Sequence, residues 1–171
     1  MSDPWLPTDD VRTAARELFD WFIAGGNVSD ISAVVRRTAE LIGTPISVEP
    51  AGDDRWEKLM GLTVAYLDEY GVPEKYGVLI RQQEIYYQIY CVLHELSHLL
   101  FGHPPSEIEA PQQLDVPERN GVLLHARFLV WDNEELTPAE RRQEAEAEEL
   151  ARLLGTLVMH PRYRDGERTF G

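Results

Sequence analysis

The sequence has few cysteines and few basic residues, and each shortage excludes a class of protein. Its single cysteine, Cys91, cannot form an internal disulfide, and it also rules out a metal site built from several cysteines. This cysteine usage is typical of a reducing compartment. Sixteen Lys and Arg residues stand against 30 Asp and Glu residues, so the formal net charge is -14. Because such a surface repels phosphate groups, we expect no direct binding to nucleic acid.

Long apolar runs are also missing. The longest apolar stretches, such as residues 153–159, are far shorter than the roughly 20 residues that cross a bilayer, so no membrane span is expected. Residues 1–4 lack the basic and then apolar order of a signal peptide. The expected location is therefore the cytoplasm. A chain of 171 residues can bury its own core, and we expect a single domain over residues 1–171.

Two amphipathic helices are predicted at the start of the chain. The first follows the acidic pair Asp9 and Asp10, and its apolar pattern ends at Gly25. For the second helix we expect Ser29 as the N-cap, and Gly43 ends the pattern.

The apolar period then changes to that of β-strands. Short strands are predicted at residues 46–48, 62–66 and 77–81, and the turn at residues 69–76 makes the last two an antiparallel pair. Residues 122–131 are a candidate for a further strand. These elements together indicate an α+β fold, in which helices surround a small, mainly antiparallel sheet.

Two further helices are predicted on either side of a long connection. The first ends at Gly102 and is followed by residues 103–136, which are rich in Pro, Glu and Gln. Residues 137–140 read Thr-Pro-Ala-Glu, a capping box that predicts a last helix running to about His160. The polar tail at residues 162–171 is expected to be frayed.

The third predicted helix carries the sequence His-Glu-Leu-Ser-His at residues 94–98. Residues four apart lie on one face of a helix, so His94 and His98 can offer imidazole nitrogens to a single metal ion. Glu95 would lie beside the metal without binding it, where its carboxylate can take a proton from water and deliver it to a leaving amine. Zinc suits this site best, because two imidazoles and one carboxylate with an open fourth position form a recurrent catalytic zinc shell.

A match to this motif can also arise by chance. In that interpretation, His94 and His98 are hydrogen-bonded polar groups and Glu95 is a solvated surface residue. It is disfavoured because the helix is otherwise apolar, so three polar side chains within it need compensation. Two histidines alone are too few ligands, and a third must come from elsewhere.

The last predicted helix offers four glutamates as the third ligand. At 100° per residue, Glu146 lies roughly 70° from the centre of the apolar stripe of this helix, and Glu144 lies about 90° away on the other side. Glu148 and Glu149 lie roughly 130° away and are expected to form a solvated acidic face. Helical phase therefore favours Glu146 as the ligand, with Glu144 as the alternative.

Three segments of the sequence carry a resemblance to a known family. They read Val92-Leu93-His94-Glu95-Leu96-Ser97-His98-Leu99-Leu100-Phe101-Gly102-His103, then Glu144-Ala145-Glu146-Ala147, and last Leu157-Val158-Met159-His160-Pro161. Together they resemble the ImmA/IrrE metallopeptidase family, from about Tyr76 to Pro161. The chain departs from the family pattern at Glu148, where Asn or Asp is usual, at His160, which alters the closing Leu-Leu-Met-Pro, and in its longer connection between the motifs.

The resemblance implies both a fold and a reaction. The fold would be zincin-like, with the motif on a central helix. The resemblance implies that His94, His98 and Glu146 hold zinc and that Glu95 is the catalytic residue of an endopeptidase, a hydrolase. We expect the peptide substrate to pair with an exposed strand, for which residues 77–81 are the candidate.

The resemblance also implies a partner. The substrate would be a regulatory protein, typically a helix-turn-helix (XRE-type) repressor, so that cleavage affects transcription. We expect no DNA-binding module within this sequence, so such a repressor would be a separate protein. The alternative is a zinc-containing binding module that inactivates a repressor by complexation, without cleaving it.

Other polar residues are weaker candidates for the site. His103 is expected to interact with the terminal carbonyls of the motif helix. Tyr86, Tyr87 and Tyr90 are expected to pack in the core or in a pocket wall. The candidate donors to an oxyanion, among which the sequence does not choose, are His125, His160 and Tyr163.

Overall fold

The computed structural model describes residues 7–51, 59–105, 121–128 and 136–159 of the chain. These residues form four helices and four strands, so the expected α+β class is confirmed. In chain order, the elements are α1 (Asp9–Ile23), α2 (Ile31–Ile42), β1 (Ile46–Ala51), β2 (Leu59–Leu67), β3 (Pro73–Arg81), α3 (Ile85–Phe101), β4 (Gly121–Phe128) and α4 (Pro138–Val158).

The four strands form one mixed sheet in the order β1-β3-β2-β4. β2 pairs antiparallel with both β3 and β4, which confirms the predicted antiparallel pair, whereas β1 pairs parallel with β3. The sheet is therefore mainly antiparallel. The prediction that residues 77–81 form an exposed strand is wrong, because β3 has a hydrogen-bonded neighbour on each side. Within the described parts of the chain, the edges of the sheet are β1 and β4.

Local signals account for where most helices begin and end. Thr137 and Glu140 form the predicted capping box at the start of α4, with the Thr137 side chain accepting a hydrogen bond from the Glu140 backbone N–H. Gly102 ends α3 with a left-handed φ of 65°. The N-cap of α2 is Asp30, whose side chain accepts a hydrogen bond from the Ala33 backbone N–H at 2.8 Å, so the expectation of Ser29 is wrong by one position.

Some predicted boundaries lie wholly or partly outside the described residues. α4 is described to its end at Val158, but His160 and the tail at 162–171 are not described. The predicted connection at 103–136 is described only at its ends and at β4, which lies within the candidate strand at residues 122–131 except for Gly121.

The core lies where α3 contacts α4, α2 and strands of the sheet. Its largest fully buried apolar side chains come from all four helices and from β2: Phe22, Val34, Met60, Leu62, Val64, Leu93, Leu96, Leu150 and Leu154. Burial of one such side chain contributes about 1.5–3 kcal/mol, so the core holds α3 firmly against α4 and the sheet. None of the helices in the described ranges combines the length and apolar character needed to cross a membrane.

Candidate metal centre

His94 and His98 lie on the same face of α3, as their spacing of four residues predicts. Both side chains are buried, and their Nε2 atoms lie 3.1 Å apart. α3 packs against α4, the helix that carries the acidic run. The two imidazoles therefore share one small volume that acidic side chains of α4 can reach.

Glu144 of α4 completes this cluster. Its Oε2 lies 3.2 Å from Nε2 of His94, and its Oε1 lies 3.3 Å from Nε2 of His98. His94, His98 and Glu144 form a largely buried group whose ligand atoms lie within 4.8 Å of one another, and the group could hold a metal ion. Helical phase favoured Glu146 in this place, but the structure brings Glu144 to the two imidazoles.

The spacing of the donor atoms can be compared with that of a metal shell. Ligands at the corners of a tetrahedron, with bonds of about 2.0–2.2 Å to the metal, lie about 3.4 Å from one another. Nε2 of His94 and Nε2 of His98 lie 3.1 Å apart, and two different oxygens of Glu144 lie 3.2 Å from the first and 3.3 Å from the second. One oxygen of Glu144 and the two nitrogens all lie within 4.8 Å of one another, so the three residues are close enough to share one ion.

The electrostatics of Glu144 favour its role as a ligand. Burial acts to raise the pKa of Glu144, but hydrogen bonds and charge from His94 and His98 outweigh burial and hold the pKa far below its ordinary value. The side chain is therefore a carboxylate at neutral pH, which is the form that binds a metal cation.

Glu95 is fully buried, and its two oxygens have different surroundings. Thr63 of β2 donates a hydrogen bond from Oγ1 to Oε2 of Glu95 at 2.6 Å. Oε1 has no hydrogen-bond partner among the residues that the structure describes. A buried carboxylate oxygen without a partner is costly and calls for a function. The interpretation of Glu95 as a solvated surface residue is wrong.

β2 leaves room for this carboxylate at Gly61. A Cβ at Gly61 would lie 3.5 Å from Oε1 of Glu95 and only 3.2 Å from Cδ1 of Ile80. Glycine therefore allows the strand to approach the motif helix at the height of Glu95. Neither Gly61 nor Thr63 was recognised from the sequence. Thr63 lies between Leu62 and Val64, an alternation that is typical of an outward polar side chain in a strand, but the residue is fully buried.

Glu146 lies next to His103 instead of the two imidazoles of the cluster. Its Oε2 is 3.1 Å from Nε2 of His103, and its Oε1 accepts a hydrogen bond from Nε of Arg142 at 2.8 Å. Nδ1 of His103 lies in turn 2.8 Å from Nδ1 of His98. The His103 ring also stacks on Phe101, with the ring centres 5.1 Å apart. These side-chain contacts place His103 between His98 and Glu146, whereas contact with the terminal carbonyls of α3 was expected.

The pKa of His103 reflects this buried position. Burial, together with the charge of His98, lowers the pKa of His103 to about 4, although Glu146 acts in the opposite direction. The ring is therefore neutral at neutral pH and carries a proton on only one of its nitrogens.

Of Glu148 and Glu149, which were expected to form a solvated face, only Glu148 is exposed. Glu148 is about half exposed, but its Oε2 lies 3.2 Å from Nδ1 of His94, and the Tyr90 hydroxyl donates a hydrogen bond to its Oε1. Glu149 is buried at 9% exposure and pairs with Arg152 at 2.6 Å. The prediction of a solvated side chain is therefore wrong for Glu149.

Two of the three tyrosines on α3 lack one of the two roles that were expected of them. Tyr86 and Tyr87 are both more than half exposed, so they do not pack in the core, and the other role, in a pocket wall, stays a prediction. Tyr90 reaches the site through its hydrogen bond to Glu148. The candidate oxyanion donors, namely the His125 side chain, His160 and Tyr163, lie outside the described residues.

Compared with models of known protein families and with curated proteins, the sequence gives no match. The resemblance to the ImmA/IrrE family therefore stays an expectation. A function for the chain has to be argued from the cluster itself, from Glu95 and from the side chains around them.

Proposed function

We propose that this chain is a zinc-dependent endopeptidase whose zinc ligands are His94, His98 and Glu144. One observation carries the proposal: three converging donor atoms lie on α3 and α4, and the residue next to His94 in the sequence is a fully buried carboxylate with one oxygen unpartnered in the described residues. A purely structural cluster of polar groups would be expected to satisfy that oxygen.

Zinc is the metal that this donor set suits best. Two imidazole nitrogens and one carboxylate are typical of catalytic zinc sites, which leave the fourth position to water or substrate. Two imidazole nitrogens 3.1 Å apart support zinc over calcium, which prefers a larger shell of oxygen ligands. Glu144 is preferred over Glu146 because its two oxygens lie beside His94 and His98, whereas Glu146 is engaged by His103 and Arg142.

Glu95 would act as the general base and then as the general acid. Thr63 holds Oε2, which leaves Oε1 to take a proton from the attacking water. As the water oxygen bonds to the peptide carbon and the C–N bond breaks, Glu95 delivers the proton to the leaving amine. When bound to His94, His98 and Glu144, zinc would supply Lewis-acid polarisation of the peptide carbonyl.

The substrate would be an extended segment of another protein. β4 pairs with β2 on one side only among the described strands, and β2 is the strand that carries Thr63 and Gly61 beside Glu95. A peptide that adds to the sheet at β4 would therefore run close to the site. The resemblance of the sequence to the ImmA/IrrE family favours a helix-turn-helix repressor as the protein that is cleaved, with the cytoplasm as the location.

The variant Glu95→Gln tests the reaction. It keeps the size of the side chain but removes the proton acceptor, so cleavage should fall by about 10²–10⁴-fold while zinc is retained. The substrate to use is a helix-turn-helix repressor encoded beside this gene, co-expressed with the wild type or with the variant. Full-length repressor with the variant and fragments with the wild type would support the proposal.

A reporter gene controlled by the same repressor distinguishes cleavage of the repressor from its inactivation by complexation. If Glu95→Gln relieved repression as well as the wild type does and left the repressor intact, the chain would act by complexation, and the endopeptidase proposal would be lost. A zinc measurement on the same samples shows whether both proteins carry the metal.

A further inference from the structure

We infer that His103 and Glu146 position His98 by holding its proton on Nδ1, so that Nε2 presents a lone pair to the metal. The inference deepens the proposed function and rests on the zinc site assigned there. It gives a role to two residues outside the ligand set. It also explains how Glu146 can be necessary to the site without touching the metal.

The contacts form a continuous series from α3 to α4. Nδ1 of His98 lies 2.8 Å from Nδ1 of His103, and Nε2 of His103 lies 3.1 Å from Oε2 of Glu146. The side chains of His103 and Glu146 are only 6% and 12% exposed, so water competes little for these hydrogen bonds. His103 immediately follows Gly102, whose left-handed backbone ends α3 and turns the chain back toward α4.

The series fixes the positions of the protons. As a carboxylate, Glu146 can only accept hydrogen bonds, so Nε2 of His103 carries a proton. The other nitrogen of a neutral imidazole, here Nδ1, is then an acceptor. Its contact with Nδ1 of His98 is a hydrogen bond only if His98 carries its proton on Nδ1. Nε2 of His98, which faces Glu144 and His94, is left with a lone pair.

The opposite arrangement is unfavourable. If His98 carried its proton on Nε2, its Nδ1 would need a proton from Nδ1 of His103. Nε2 of His103 would then present a lone pair to a carboxylate oxygen of Glu146 at 3.1 Å, which is a repulsive contact. Glu146 is therefore the residue that selects one tautomer over the other, as partners of metal-bound histidines commonly do.

Arg142 and Asp10 hold Glu146 in place. Arg142 donates from Nε to Oε1 of Glu146 at 2.8 Å, and its NH1 forms an ion pair with Asp10 at 2.8 Å. Asp10 belongs to α1, so the series is tied to a second helix of the core. This bond leaves Oε2 of Glu146 directed at His103.

The zinc affinity of full-length variants tests the inference. Measured by competition with a chromophoric chelator, Glu146→Gln should weaken zinc binding by about 10–100-fold and still bind one zinc per chain at saturation. His103→Leu should give a similar loss. His103→Gln should recover much of the affinity, because its amide oxygen can accept from His98 while its amide nitrogen donates to Glu146. Glu149→Gln, the same change on the same helix but in a pair with Arg152, is the matched control and should bind zinc like the wild type.

A spectroscopic measurement separates positioning from a loss of stability. The chain has five histidines, and nitrogen-15 labelling of their rings reports by NMR which nitrogen carries each proton. Before zinc is added, the wild type should show the proton of His98 on Nδ1 and that of His103 on Nε2. Glu146→Gln should show a mixture of the two forms for both rings, because a glutamine amide can donate as well as accept.

The outcomes distinguish this inference from the proposed function. If the wild type binds zinc and the Glu146 and His103 variants bind it equally well, the positioning role is wrong but the zinc site stands. If Glu146→Gln loses zinc at any concentration, as a ligand variant would, Glu146 is a ligand and the inference is again wrong. If the wild type binds no zinc, the proposed function fails, and the tautomers seen by NMR still decide whether His103 and Glu146 control His98.

Discussion

Thr63 donates a hydrogen bond to Oε2 of Glu95 at 2.6 Å, and this contact joins the sheet to the helix that carries His94 and His98, two of the proposed metal ligands. Both residues are fully buried. The contact fixes one oxygen of the carboxylate and leaves the other, Oε1, as the atom available to water. A strand residue thus orients the group that we propose moves the proton.

Replacing Thr63 with valine should reduce both stability and cleavage. The change keeps the shape of the side chain but leaves Oε2 of Glu95 without its donor, which should lower the free energy of unfolding by about 1–3 kcal/mol. Loss of orientation at Glu95 should lower the cleavage rate of the repressor by about 10–100-fold. Urea denaturation and the co-expression assay measure the two effects. Thr63→Ser keeps the hydroxyl and should behave like the wild type, and an equal loss in both variants would show that the hydroxyl is unimportant.

Zinc content tests the choice between the two candidate ligands on α4. The wild type purified without added metal should contain about one zinc per chain, because structural and catalytic zinc sites of this kind bind tightly. His94→Ala and Glu144→Gln should each lose zinc, whereas Glu146→Gln should still bind it when zinc is supplied. Zinc retained by Glu144→Gln but absent from Glu146→Gln would restore the ligand set that helical phase and the family resemblance favoured.

Gly61 should be sensitive to even a small side chain. In Gly61→Ala, the new Cβ would lie 3.2 Å from Cδ1 of Ile80, which must give by a few tenths of an ångström, and 3.5 Å from Oε1 of Glu95, which is ordinary van der Waals contact. The methyl group would occupy space beside Oε1 that the attacking water needs, so cleavage should slow by about 10-fold, because catalysis depends steeply on position. Zinc content should not change, because the ligands face α4.

Gly155→Ala on α4 is the control for this substitution. There the new Cβ would meet the flexible end of Met159 at 2.9 Å, which can move aside. It should leave cleavage unchanged. Cleavage by Gly61→Ala at the wild-type rate would show that the space beside Glu95 is not needed for the reaction.

The sequence predicts what short-range chemistry determines. The capping box at residues 137–140 and the left-handed glycine at 102 are local signals, and both boundaries are as predicted. The approach of His94 and His98 follows from helix geometry alone, so it too needs no knowledge of the rest of the fold.

The third ligand depends on the rotation of α4 relative to α3, which the sequence does not contain. Glu144 and Glu146 lie on opposite sides of the apolar stripe of α4, and only the position of α3 decides which side faces the histidines. The sequence also does not show that β3 pairs parallel with β1, because β2 separates these two strands along the chain. Thr63 was missed because the alternation of apolar and polar residues in β2 is typical of a strand with one solvated face, whereas β2 is buried on both faces.

The ion pair between Glu149, which is buried, and Arg152, which is more than half exposed, should make stability depend on pH. A hydrogen bond from Arg152 is the main cause that lowers the pKa of Glu149 below its ordinary value of 4.5 in the folded protein, and burial acts in the opposite direction. A lowered pKa stabilises the folded state above the pKa of the unfolded chain, and this stability is lost as the pH falls through the lower, folded value. Because Arg152 is more than half exposed, solvent screening should limit the contribution to about 0.5–1 kcal/mol.

Urea denaturation of the wild type and Glu149→Gln at two pH values measures this contribution. At pH 7 the variant should be less stable by that amount, and the difference should shrink as the pH falls below 4.5, because the wild-type carboxylate then takes up a proton and loses its charge. A difference that stayed constant down to pH 3 would show that Glu149 contributes through packing and neutral hydrogen bonds instead of charge. Glu149→Gln is also the control for the zinc measurements. If this variant is less stable but binds zinc normally, a loss of stability in α4 does not by itself weaken zinc binding, and the effects of the Glu144 and Glu146 variants reflect the site.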